Sequence, residues 1–95
     1  MSLKFEWDRR KAASNLSKHG VSFEEALTVF ADPLARIFDD EDHSIEEQRE
    51  IIIGPSAEER LLVVCFTAQR ESIRIFSARK STRQERKDYE ENVKS

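Results

Sequence analysis

Leu61-Leu62-Val63-Val64-Cys65-Phe66-Thr67 is the stretch on which the fold turns. Its first six side chains are apolar without a break, so neither face of an extended segment here suits water. A continuous apolar strand belongs at the centre of a sheet, with both faces covered. The flanking segments also read as strands. Ile73 to Ala78 sets Ile73 and Ile75 against Arg74 and Phe76, Arg49 to Gly54 carries Ile51-Ile52-Ile53, and Leu34 to Phe38 is moderately apolar. The joins are short (Gly54-Pro55-Ser56-Ala57, then Gln69-Arg70-Glu71), and strands joined this way pair antiparallel.

Helices lie outside this meander. Phe5-Glu6-Trp7 alternates as a short first strand, and Asp8 can cap a helix with apolar positions Ala12, Ala13 and Leu16, stopped by Gly20. Ser22 and Glu25 form a capping box for a second helix, whose stripe is Phe23, Ala26, Leu27 and Phe30 and which ends at Asp32-Pro33. Thr82 and Glu85 form another box, opening a helix from about Arg83 to Val93 that is polar except at Tyr89 and Val93. The sum is one α+β domain over residues 1–95, with 1–4 expected to be a loose end or cloning remnant and 91–95 a frayed helix end.

Composition narrows the function. Apolar residues make up 38% of the chain and charged ones 37%, which predicts a thin core under a dense charged surface. No apolar run approaches membrane-spanning length, the charged N-terminus does not resemble a signal peptide, and the lone Cys65 fits a reducing cytoplasm. Net charge is −3, but unevenly spread. Asp39 to Glu50 holds seven acids and one base, leaving the other 83 residues at +3, and Arg70 to Lys87 nets +5. A basic surface beside an acidic loop is an anion-site candidate.

Metal chemistry is not expected: His19, His43 and Cys65 are the strong nitrogen or sulfur ligands, and no two lie at ligand spacing. Asp39-Asp40-Glu41-Asp42 lacks the alternation and central glycine of a calcium loop. Cys65 reads as a small core residue, Phe5 and Trp7 as core aromatics, and His43 as an exposed loop residue. There remain Arg74, Arg79, Lys80 and Arg83, on a strand running into a helix N-terminus, where free amides and guanidinium groups can hold phosphate. Pairing with Asp88, Glu90 or the acidic loop is the plain alternative. His19, with Lys18 beside it, fits either a C-terminal helix charge or a proton-transfer group. Tyr89 fits either a stacking residue or packing on the sheet.

Phe5-Glu6-Trp7-Asp8, Lys11-Ala12, Asn15, Lys18-His19-Gly20-Val21-Ser22-Phe23-Glu24-Glu25-Ala26, Val29-Phe30 and Asp32-Pro33 resemble the BrnT family of toxins. So do Arg49 with Ile51-Ile52-Ile53-Gly54, Arg74-Ile75-Phe76-Ser77-Ala78-Arg79-Lys80, and Glu85-Arg86-Lys87-Asp88-Tyr89-Glu90. The resemblance implies a cytoplasmic ribonuclease toxin of a type II toxin–antitoxin pair that works without cofactor or metal. It also implies a RelE-like fold, in which two N-terminal helices pack on a twisted, mainly antiparallel sheet followed by a C-terminal helix. The implied partners are an RNA substrate and a BrnA-like, DNA-binding antitoxin through which alone DNA is reached. With the cation cluster, it points to Arg74 and Arg79 as phosphate clamps and Lys18 and His19 as proton-transfer groups. Arg49, Lys80, Arg83 and Tyr89 are the further RNA-contact candidates. A non-catalytic module that binds an acidic partner or nucleic acid through its basic face is the competing reading.

Overall fold

From the N-terminus the elements are β1 (Lys4–Glu6), α1 (Arg9–His19), α2 (Phe23–Leu27) with a 3₁₀ turn over Thr28–Ala31, β2 (Arg36–Asp39), β3 (Glu50–Pro55), β4 (Leu61–Ala68), β5 (Ser72–Lys80) and α3 (Arg83–Lys94). They come from a computed structural model that describes residues 3–40 and 48–94; His43 and the acids from Glu41 to Glu47 lie outside the described residues. The helix ends form as local chemistry dictates. The Asp8 carboxylate accepts the N–H groups of Arg10 (2.8 Å) and Lys11 (3.1 Å), satisfying donors that α1 itself cannot. Gly20 closes α1 at φ 69°, a left-handed conformation that glycine adopts without strain.

The sheet order is β1-β5-β4-β3-β2, with β4 in the middle. Strands β2 to β5 pair antiparallel in succession, while β1 joins β5 in parallel through Lys4–Ser72, Phe5–Ile73 and Glu6–Arg74. The sheet is therefore mixed, and Lys4 belongs to it. Gly54 is close to the segment before β2: a Cβ there would stand 2.8 Å from the Ala35 Cβ, so any side chain would force the layers apart. The β3–β4 turn runs through Ser56–Arg60, beginning two residues later than the Gly54–Ala57 join read from the sequence, with Glu59 at φ 62°.

Both faces of β4 are covered, as its unbroken apolar run requires. On one face Val21, Phe23, Ala26 and Val29 pack on Ile52, Leu62, Val64, Phe66, Ile73, Ile75 and Ala78. Phe30 joins this layer to its neighbours, its ring 5.2 Å from Phe5 and 5.0 Å from Phe66. On the reverse face Ile53, Leu61 and Val63 meet Ile51 and Tyr89 of α3. Each fully buried Leu, Ile, Val or Phe contributes about 1.5–3 kcal/mol, so the first and larger layer dominates stability.

Helix α1 departs from expectation. Ala13 and Leu16 face solvent, Leu16 being 52% exposed, and the buried residue is Asn15. The reason lies in the sheet edge. Three-residue β1 leaves the second half of β5 without a strand neighbour on its outer edge, and α1 lies there instead. The Asn15 amide donates to the carbonyls of Ala78 (2.7 Å) and Val21 (2.9 Å), while its oxygen accepts the Ala78 N–H (3.1 Å). One side-chain amide thus stands in for a missing strand's peptide, which is what buried backbone polar groups demand.

Strand β5 carries an irregularity that decides where its charges point. Cys65 pairs with Ser77 but Phe66 pairs with Ile75, so Phe76 is an extra residue, a β-bulge. The bulge reverses the alternation. Ile73 and Ile75 point at the helical layer, and so does Ala78, whereas Arg79 opposes Val63 on the reverse face. Simple period-two counting from Ile75 would have sent Arg79 into the core.

Candidate functional site

A cleft of about 560 Å³ opens between α1 and the reverse face of the sheet. Ile51, Val63 and Cys65 line it from β3 and β4, and Phe76, Ser77 and Arg79 from β5. From α1 come Lys11, Ser14, Asn15, Lys18 and His19, and from the ends of the acidic segment Asp40 and Arg49. Residues 11, 14, 15 and 18 recur at helical spacing and form one polar stripe, inner edge anchored by Asn15, outer edge cationic. Among the described residues that line it, five cationic or protonatable nitrogen side chains (Lys11, Lys18, His19, Arg49, Arg79) meet one carboxylate, that of Asp40. Such a balance attracts an anion.

The two arginines are held differently. Arg79 donates Nη1 to Glu85 Oε1 (2.8 Å) and Nη2 to Glu85 Oε2 (2.9 Å), a two-point grip from the first turn of α3. That guanidinium holds the Glu85 carboxyl down at about pKa 2. Arg49 instead lies over the Phe76 ring, its guanidinium carbon 4.0 Å from the centroid, and Lys11 Nζ approaches the same ring at 5.4 Å. Cys65 is half-buried, its Sγ 3.5 Å from Asp40 Oδ2, and burial, with the Asp40 contact second, pushes its thiol up to about 11. It lines the cleft rather than sitting wholly in the core, and as a neutral thiol it is a poor nucleophile.

Of the residues named from the sequence, Lys18, His19, Arg49 and Arg79 line this cleft. The others do not. Arg74 opposes Thr67, four residues along β4 from Val63 and hence about 13 Å from Arg79's position, and its Nη1 lies 3.9 Å from Glu6. Lys80 follows Arg79 in the ladder and opposes Leu62, so it leaves on the other face. Arg83 is exposed at the start of α3. Tyr89 packs against the apolar patch of the reverse face and donates its hydroxyl to the Leu34 carbonyl (3.1 Å), so it docks α3. Burial raises its phenol pKa, with the Asp32 charge a smaller cause.

Sequence reasoning passed over Lys11, Asn15, Asp40 and Phe76. Lys11 carried a signal, since it precedes Lys18 by two helical turns. Among the described residues no three His, Cys, Asp or Glu side chains gather as a metal site would require, and no helix is long and apolar enough to cross a membrane.

A family described as "Ribonuclease toxin, BrnT, of type II toxin-antitoxin system" matches residues 7–85. Among solved structures, the crystal structure of the Brucella abortus ribonuclease toxin BrnT aligns with a TM-score of 0.66 at 21% identity, covering 86% of this chain and 100% of that one. At that identity the likeness speaks for a shared α+β fold, a five-stranded mixed sheet with three helices. No curated protein matches in sequence.

Proposed function

The chain belongs to the BrnT ribonuclease toxins of type II toxin–antitoxin systems, and from that premise we propose that the cationic cleft is where it cuts RNA. The toxin's family implies a cognate antitoxin. The observation carrying the assignment is the convergence of Lys11, Lys18, His19, Arg49 and Arg79 on one cleft.

The chemistry follows from the groups present. A ribose 2′-oxygen attacks the neighbouring phosphorus, a new O–P bond forms, and the bond to the 5′-oxygen breaks, leaving a cyclic phosphate and a 5′-hydroxyl. Negative charge builds on the non-bridging oxygens, and fixed cations facing them are the largest contributors to rate. Arg79, pre-oriented by Glu85, and Arg49, stacked on Phe76, supply that charge. His19, half-buried at the end of α1, takes the 2′ proton or returns one to the 5′-oxygen, and Lys18 supports it. No step requires a metal ion. RelE-like nucleases offer the mechanistic analogy for this reading, which places the reaction in the cytoplasm. We extend the antitoxin assignment to a BrnA-like protein whose DNA-binding region brings the complex to its promoter.

The test is cleavage of RNA by purified, antitoxin-free protein in EDTA. Wild type is expected to cleave, Arg79→Ala and His19→Ala to lose about 100-fold each, and Arg74→Ala to stay within about three-fold of wild type. Full activity in both cleft variants, or complete loss on chelation, would overturn the assignment. Tolerance of expression in cells without growth arrest would favour the non-catalytic binding module.

A further inference from the structure

We propose that Asn15 is a positioning residue for RNA cleavage, its buried amide setting where the His19 imidazole stands relative to the Arg79 guanidinium; this rests on reading the cleft as the RNA site. Helix α1 brings Lys11, Lys18 and His19 to that cleft, yet little apolar surface holds the helix in place. Ala13 and Leu16 face solvent, Ala12 is half-buried, and Asn15 is the one buried residue of the eleven. Apolar contact is non-directional and would let such a helix slide along the sheet. Hydrogen bonds have set lengths and angles and would not.

The bonds of Asn15 reach toward both groups in question. Its Nδ2 donates to the Val21 carbonyl (2.9 Å), closing a short loop that contains Lys18, His19 and Gly20. Gly20, left-handed at φ 69°, gives the chain freedom to leave α1 in several directions. This bond, with Arg60 Nη2 on the Gly20 carbonyl (3.1 Å), selects one of them. The same Nδ2 donates to the Ala78 carbonyl (2.7 Å), and Oδ1 accepts the Ala78 N–H (3.1 Å). Those two groups belong to the peptides on either side of Ala78, and the second peptide leads straight into Arg79. The Arg79 backbone is thus set by Asn15, and its side chain is then directed by Glu85. A planar amide of fixed size therefore spans the helix end that carries the proton-transfer group and the strand that carries the phosphate grip. In such an arrangement a misplacement of about 1 Å costs up to about 100-fold in rate.

The experiment is RNA cleavage by the full chain, well below the melting temperature of each variant, with kcat and KM read separately. Asn15→Ser keeps a small polar group that cannot bridge both segments. It is expected to lower kcat about 20-fold with KM within about three-fold of wild type, because the cations that bind RNA remain. Asn15→Asp keeps the shape and the acceptor for Ala78 but withdraws both donors, and a loss of about 20-fold or more is expected. Either variant carries the comparison if the other fails to fold. Val29→Ala, outside the cleft lining, removes buried core bulk and should leave kcat within about two-fold of wild type despite its lower stability. In a His19→Ala background the Asn15 substitution should change kcat less than about two-fold, since no imidazole is left to misplace. An unchanged kcat, a loss confined to KM, a loss undiminished by His19→Ala, or an equal fall in Val29→Ala would each overturn the proposal while leaving the cleft assignment standing. RNA left intact by wild-type protein, or cut at full rate by both His19→Ala and Arg79→Ala, would overturn the cleft assignment and this proposal together.

Discussion

Two stretches of this chain carry the same four-residue signature and spend it differently. Ser22 to Glu25 starts α2 and Thr82 to Glu85 starts α3, and in both the hydroxyl accepts the glutamate N–H, at 3.0 and 3.1 Å. They part at the carboxylate. Glu85 returns to the Thr82 N–H (2.8 Å), completing the box, and also spans Arg79. Glu25 leaves its box and turns inward, where Ser56 Oγ (2.7 Å) and Arg60 Nε (2.9 Å) donate to it, and Arg60 Nη2 also reaches the Gly20 carbonyl (3.1 Å). The reason is packing. Glu25 stands between Phe23 and Ala26 on the buried side of α2 and its side chain is 3% exposed, against 34% for Glu85 on a helix that is polar nearly all round. A capping signature therefore fixes where a helix starts, while the environment decides what else its acid does. At α2 the acid clamps a helix to the β3–β4 turn; at α3 it orients a cation of the cleft.

The largest test of that contrast is Glu25→Ala. It strips the partner from Arg60 and Ser56, and about 3 kcal/mol of stability should disappear, read by urea unfolding. A loss under about 1 kcal/mol would erase the difference between the two boxes. Glu85→Ala comes next, at about 1 kcal/mol, because an exposed pair and half a cap are modest contributions. Ser22→Ala and Thr82→Ala should then cost about 1 kcal/mol each and agree within about 0.5, since both hydroxyls make the same bond. Unequal values would mean that the two caps differ as well as the two acids. The smallest effect is in acid. Both carboxyls are held below their ordinary 4.5, each chiefly by its arginine, so their contributions are complete above that pH and fade as pH falls. For Glu85 the window runs from about 4.5 down to about 2, and Glu85→Gln should flatten the urea midpoint against pH there.

What was legible in the sequence was what depends on near neighbours. Asp8, Gly20 and both hydroxyl caps act within a turn of where they stand, and the apolar run of β4 declares its own burial. Features that depend on distant partners were hidden. Asn15 is buried because Ala78, 63 residues away, needs its amide, and Arg60 matters because Glu25 lies across a layer boundary. The parallel pairing of β1 left no local mark. At the site, Arg49 and Arg79 were named without the geometry that faces them to one cleft. Arg74 and Lys80 were grouped with Arg79 by closeness along the chain, which alternation and strand length undo.

The extra residue at Phe76 also bears on how this protein is compared with its kin. A relative with a regular strand here would have to carry the cleft's guanidinium one position earlier or later to point it the same way. Aligning such chains column by column would then match a working charge with a core alanine, and deleting a single codon would do more harm to the cleft than replacing any one side chain in it.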